Sequence, residues 1–216
     1  YFSELLGFFA STAQDIFIEV TQSPLTPQPQ NVPYLLEVQM FTPVSNNVCE
    51  NAEVLTPGTY DRTIKKATNS IESGTCSGGY GYGTDLFYKV NVPAGKLLTF
   101  RVTPDSAEFD PELSILSECG TIAEKCLAGN AFGGWGEPEE LSYLNSTAEA
   151  KDYIVILDTP MLPFEYDFVI QIDISDASVP ANDKIAGAIP LSGTGSVNGT
   201  TIAANNDYAP TAGICD

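Results

Sequence analysis

The sequence predicts an all-β protein made of tandem antiparallel β-sandwich domains, one complete and two partial. First, short segments rich in Val, Ile, Leu, Phe and Tyr alternate with Gly, Pro and Asn turns, and none reads as a long amphipathic helix. Second, residues 140–173 have a counterpart at the N-terminus. ELSYLNSTAEAKDYIVILDTP, a loop and YDFVIQID answer to ELLGFFASTAQDIFIEV, a Pro-rich loop and YLLEVQM. Asp15 matches Asp152, 137 positions on, and Tyr34 matches Tyr166, 132 on. Third, the start of the complete unit recurs near the C-terminus. Ala188 falls on Ala52, Leu191 on Leu55, Thr200 on Thr63, Ala204 on Ala67 and Cys215 on Cys76. These matches divide the chain into residues 1–42, the C-terminal part of one repeat; 43–175, a complete repeat; and 176–216, the N-terminal part of another. A unit of about 125 residues suits one sandwich.

Along the chain, residues 16–20 are β-branched and aromatic and read as a strand, as do residues 34–40 beyond a loop with four prolines. A short link, 42–48, is less rich in Gly and Ser than a long flexible tether, so neighbouring domains are expected to pack closely. CENAEVLTPG gives a short strand and turn, and residues 60–67 another strand. SGTCSGGYGYGTD is a glycine-rich loop without a GKS or GKT ending or dinucleotide-binding spacing, so it is no phosphate cradle. Strands follow at 86–92, closed by the turn PAGK, and at 97–102. Pro111 breaks the chain before a strand at 113–116. A cysteine loop then leads to a short strand, and GNAFGGWGEPEE forms a second glycine-rich, acidic loop. Strands at 141–144, 153–157 and 168–172 close the repeat.

The 216 residues are 43% hydrophobic, enough for a real core. Twenty-eight acidic against nine basic residues give a net charge of −19, a field that repels nucleic acid and anionic lipid and attracts cations. No run of about 20 apolar residues is present, so no membrane insertion is expected. The low basic content is in keeping with a secreted or cell-surface protein. No signal peptide is visible and Tyr1 is not an initiator, so the chain reads as a processed or excised segment.

The landmarks Cys49-x-x-Ala52, Thr63, Cys76, Leu86-Phe87-Tyr88-Lys89-Val90, Phe109-Asp110, Leu113, Cys119, Cys126, Gly129-Asn130 and Asp152-Tyr153-Ile154-Val155 resemble the bacterial pre-peptidase C-terminal domain and its relatives. The resemblance covers the complete repeat and both partial ones. It implies a jelly-roll-like sandwich that lacks catalysis and accompanies secreted enzymes, adhesins or surface proteins. One departure is that Ala131 and Phe132 follow the Gly-Asn pair where such domains often carry acids, which weakens a calcium site read from the family.

Cys49, Cys76, Cys119 and Cys126 allow three pairings, and reduced core cysteines are the alternative. Zinc is disfavoured because no CxxC exists. The resemblance favours disulfides Cys49 to Cys76 and Cys119 to Cys126. Cys215 is then unpaired, or bonded outside this sequence, because Ile185 stands where Cys49 would recur.

Enzymatic chemistry finds no support. Histidine is absent and there is no GxSxG nucleophile. The dense carboxylates, Asp110 with Glu112 and Glu137 with Glu139 and Glu140, read as a solvated acidic face rather than a convergent pair. No metal site is expected. Calcium, the one cofactor considered, would draw on Glu137, Glu139, Asp110 and Asp85, but no EF-hand spacing exists.

Tyr80, Tyr82, Phe132 and Trp135 lie in glycine-rich loops. They could contact a polysaccharide, pack on a neighbouring domain or fold over their own sandwich. Asn145-Ser146-Thr147 and Asn198-Gly199-Thr200 are acceptor sequences for N-glycosylation, with Asn145 expected to be exposed before a turn. The expectation is a non-catalytic structural repeat of a secreted or surface multidomain protein, partnered by neighbouring repeats and by other copies in an extracellular filament. The alternative is an accessory carbohydrate- or surface-binding adhesion module.

Overall fold

The computed structural model describes residues 15–20, 33, 35–38, 40–71, 76, 78–79, 81, 83–160, 165–199, 201 and 203–204. Within them lie nine strands and one short helix: β1 (Glu53–Leu55), β2 (Gly58–Thr63), β3 (Leu86–Val92), β4 (Lys96–Pro104), β5 (Glu112–Leu116), α1 (Ile122–Lys125), β6 (Cys126–Asn130), β7 (Glu139–Leu144), β8 (Lys151–Asp158) and β9 (Asp167–Asp176). They build a five-stranded sheet, β1-β3-β8-β5-β6, and a four-stranded sheet, β2-β9-β4-β7.

Every pairing is antiparallel except β1 with β3, a correction to the all-antiparallel expectation. The reason is the path of the chain. After β1 it crosses at Pro57-Gly58 to the other sheet, so β3 does not return as a hairpin and runs beside β1 in the same direction.

Between the sheets, Tyr88, Val90, Leu98, Phe100, Val102, Leu113, Ile115, Val155, Leu157, Phe168 and Ile170 form the main core. The period-two alternation of side chains sends the opposite set of β8 and β3 outward. Ile154, Ile156 and Phe87 make a second apolar cluster with Ile71, Leu116 and Ile122 on the outer face of the five-stranded sheet. β8 is therefore buried on both faces, as a central strand under two layers must be.

Both disulfides belong to this outer layer. They join Cys49 to Cys119 and Cys76 to Cys126, with Cα separations of 5.8 and 5.9 Å. The four expected cysteines are bonded, but not as Cys49 to Cys76 and Cys119 to Cys126. Cys126 stands opposite Leu116 in the β5–β6 ladder, while Cys119 lies beyond the end of β5 with α1 between them. The segments carrying Cys49 and Cys76 lie over the outer cluster, and each is tied to one end of that α1 loop.

The N-terminal stretches depart further from expectation. Residues 15–20 and the described part of 34–40 form no ladder, and Phe17, Leu35 and Met40 are exposed. Their counterparts β8 and β9 are interior strands, each flanked by two others. Residues 1–42 contain no counterparts of those flanking strands, and a strand without partners leaves its backbone groups to water.

Part of the backbone pattern of residues 44–67 recurs in residues 180–204. The bonds Asn47 N–H to Val44 O, Asn51 N–H to Val48 O and Ala52 N–H to Cys49 O recur 136 positions later as Asp183 to Pro180, Gly187 to Lys184 and Ala188 to Ile185. Ala67 N–H to Ile64 O recurs 137 positions later as Ala204 to Thr201. Lys66 and Ala203, also 137 apart, are the two non-glycine residues with positive φ among those described, at 64° and 61°. Side chains adopt that region rarely.

Candidate functional site

One end of the sandwich collects the chemistry. There β3 and β5 begin, β8 and β4 end, and β9 and β7 begin. A cleft of about 780 Å³ opens between the sheets, with Leu86, Tyr88 and Phe168 at its base and Asn46, Glu53, Arg62, Asp105 and Asp167 among its polar walls. Arg62 spans the mouth as a fork on Glu53, with Nε to Oε2 at 3.1 Å and Nη2 to Oε1 at 2.5 Å. The bond to Glu53 holds the guanidinium above its ordinary pKa. Tyr88 is fully buried, and its hydroxyl has no hydrogen-bond partner. Burial first, then the charge of Glu53, pushes its phenol pKa up.

Beside the cleft, three carboxyls are buried: Asp85 before β3, Asp158 at the end of β8 and Glu112 at the start of β5, opposite Asp158 in the ladder. Asp85 Oδ2 accepts from Ser70 N–H (2.7 Å), Ser70 O–H (3.1 Å) and Ile71 N–H (3.0 Å). Asp158 Oδ1 accepts from Thr159 N–H at 2.6 Å. Asp85 Oδ1, Asp158 Oδ2 and Thr84 Oγ1 have no partner. Burial pushes Asp158 up to about 9, aided by the charge of Asp85, and burial pushes Asp85 up to about 6. The glycine-rich loop lies directly on this group. A Cβ at Gly79 would strike the Glu112 carboxyl, and one at Gly83 would strike Thr159.

The second glycine-rich loop is pinned at the same end. Gly133 N–H donates to Glu139 Oε2 at 2.8 Å, and Gly136 N–H donates to Phe109 O at 2.9 Å. Gly136 has φ of 75°, and a Cβ there would lie 2.7 Å from Ala107 Cα. The loop holds its rings outward: Phe132 is 92% and Trp135 48% exposed, so Phe132 is no lid. Tyr80, Tyr82 and Cys215 lie outside the described residues.

Of the acidic residues expected on a solvated face, Glu137 and Glu140 are exposed and Asp110 is half-buried, but Glu112 and Glu139 are not solvated. Glu112 and Glu139 are buried because they open β5 and β7 beneath the two glycine loops. Among the described residues no three His, Cys, Asp or Glu side chains are placed to share a metal ion, and the calcium candidates Asp85, Asp110, Glu137 and Glu139 do not converge. No described helix is long and apolar enough to cross a membrane. Sequence reasoning missed Asp158, Arg62 and Tyr88. A charge directly after the apolar run Tyr153-Ile154-Val155-Ile156-Leu157 was the one signal available.

Asn145 sits at the opposite end, and the structure overturns its expected exposure. It is fully buried. Its Nδ2 donates to Val92 O (2.8 Å) and Glu149 O (2.9 Å). Its Oδ1 accepts from Thr147 N–H (3.1 Å), Thr147 O–H (2.6 Å) and Tyr153 O–H (3.0 Å). The same Thr147 that completes the acceptor sequence is what locks the amide, so a glycan cannot be carried there in the folded domain. Asn198 is exposed.

No protein family and no curated protein matches the chain. Several solved structures are similar, among them these three. The pre-peptidase C-terminal domain of a collagenase from Bacillus anthracis shares 11% identity over 56% of this chain and 94% of that one, at a TM-score of 0.37. CorA, a surface-associated copper-binding protein of Methylomicrobium album BG8, shares 10% over 57% and 98%, at 0.35. The C-terminal CBM6 of the marine laminarinase LamC of Zobellia galactanivorans shares 20% over 55% and 100%, at 0.29. These are weak resemblances to β-sandwich modules, and the sandwich itself rests on the strand pairings above.

Proposed function

We propose that the chain is a non-catalytic structural part of a secreted or surface multidomain protein that builds an extracellular filament from tandem repeats. Residues 43–175 are one repeat, and 1–42 and 176–216 belong to its neighbours. The observation that carries this reading is the recurrence, 136 to 137 positions apart, of four backbone turns and a left-handed non-glycine residue. Two disulfides suit an oxidising, extracellular setting. Cys215 matches Cys76, whose partner is Cys126; on this reading it is unpaired or bonds a cysteine outside this sequence. Reducing mass measurement and peptide sequencing of the native protein should find further copies of the repeat in one polypeptide. A native protein that holds a single copy and behaves as a folded monomer would defeat the reading.

The second reading, an accessory polysaccharide- or surface-binding module, is favoured by Phe132 and Trp135, two rings held outward by a fixed loop. Retention on polysaccharide columns that is lost in Trp135→Ala and Phe132→Ala would support it. No retention on any column would remove it.

A further inference from the structure

Two buried carboxyls facing each other, each with one saturated and one orphaned oxygen, pose a definite problem. A carboxylate only accepts hydrogen bonds, whereas a protonated carboxyl also donates one. Three donors saturate Asp85 Oδ2 and one satisfies Asp158 Oδ1, which leaves Asp85 Oδ1 and Asp158 Oδ2. In the antiparallel β3–β8 ladder Leu86 is paired with Leu157, so Asp85 and Asp158 are the next opposed positions, and the charge of Asp85 favours the proton on Asp158. We propose that Asp158 is protonated in the folded domain and donates from Oδ2 to Asp85 Oδ1, so that one shared proton latches this end of the sandwich.

The surroundings favour a proton over a cation. β3 contributes Asp85, β8 contributes Asp158 and β5 contributes the Glu112 carboxyl, whose charge also disfavours ionisation of Asp158. The covering segment contributes the neutral groups of Ser70 and Ile71. The five ion pairs of the described residues all lie elsewhere. No three metal-ligating groups converge among those residues. The latch joins three layers, because Asp85 is bonded to the covering segment, Asp158 ends the strand buried on both faces, and Gly79 and Gly83 lie against the neighbouring Glu112 and Thr159.

The sign of the effect follows. Both carboxyls are raised in the folded state, so the stability they bring is full below the ordinary carboxylate range near pH 4 and is lost as pH rises toward about 9. Because the chain has no histidine, few other groups titrate between pH 5 and 7.

Urea unfolding of the full chain, disulfides intact, at pH 5, 6 and 7 tests this in EDTA and again with calcium. Toward pH 7, where Asp85 is mostly ionised, one extra proton in the folded state makes the unfolding constant rise about tenfold per pH unit, and toward pH 5 the rise is steeper because Asp85 also takes up a proton. In Asp158→Asn the amide N–H replaces the shared proton, and the slope between pH 6 and 7 should fall to near zero. A flat wild type, a slope that survives in Asp158→Asn, or calcium stabilisation at pH 7 that Asp158→Asn removes would each overturn the proposal, the last by placing a cation between the carboxyls. Should the variant not fold, infrared spectra of the wild type decide. A protonated-carboxyl band at pH 7 that vanishes on unfolding supports the latch, and a folded protein without it refutes the latch.

Discussion

The two ends of the sandwich bury polar side chains in opposite ways. At one end a single amide, Asn145, meets two acceptors with its nitrogen and three donors with its oxygen. At the other, Asp85 and Asp158 are acceptor groups facing each other, and two oxygens go without a donor. The difference teaches that burial is tolerated where donor and acceptor capacity balance inside the cluster. An amide carries both kinds of group on one side chain. A pair of acids balances only by taking up a proton, which makes its stability a function of pH. The Asn145 end should therefore be indifferent to pH, and the acid end should not.

The largest expected effect comes from removing the covalent tie beside the acid end. Replacing both Cys76 and Cys126 by Ser opens a 50-residue separation and should cost about 4 kcal/mol in urea unfolding, a chain-entropy figure. Since Ser70 and Ile71, the donors to Asp85, lie in the segment that Cys76 tethers, the variant should also expose the acid end to hydrogen exchange before the Asn145 end. Uniform exchange at both ends would show that the tie does not act locally.

Asn145→Ala comes next, at about 3 kcal/mol, because it strands the buried Val92 carbonyl and Tyr153 hydroxyl and frees the partly exposed Glu149 carbonyl. The same amide should stay unmodified when the protein passes through a glycosylating secretory pathway. Peptide mapping that finds a glycan on Asn145 in the folded protein would mean its burial is wrong.

Asn145→Asp turns one end into a likeness of the other. It keeps the acceptor and loses the donor, so it should cost about 2 to 3 kcal/mol at pH 7. Part of the loss should return near pH 4, where the new carboxyl regains a proton and with it a donor. Equal losses at both pH values would break the comparison.

Arg62→Met is the smallest. The Arg62–Glu53 pair is about one-third exposed, solvent screens it, and under about 1 kcal/mol is expected. A larger loss would place the cleft mouth among the elements that hold the two sheets together.

Much of the fold was legible because strands declare themselves locally. Leu86–Val92 was read without error from its apolar and aromatic run, and the other strands of residues 43–175 were placed within a few residues of their observed ends. Residues 16–20 and the described part of 34–40 carry the same signal and form no strand. Propensity says what a segment can become, whereas a ladder needs neighbours. For the loop rings Phe132 and Trp135 three placements stayed open in the sequence, and their exposure follows from the bonds that pin the loop to Glu139 and Phe109. Asn145 was misread for a related reason: the turn was recognised, but not that Val92 and Tyr153 converge on its amide from other strands.

By itself the sequence determined the all-β class, because alternation and turn chemistry are set by residues adjacent in the chain. Only the tertiary structure decided which cysteines meet, which carboxyls lose their water and which oxygens are left to share a proton. Those outcomes depend on the order of strands in two sheets and on what lies over the outer face of β8. They are set between residues tens of positions apart, such as Asp85 and Asp158 or Cys49 and Cys119, and no local pattern in the chain encodes that proximity.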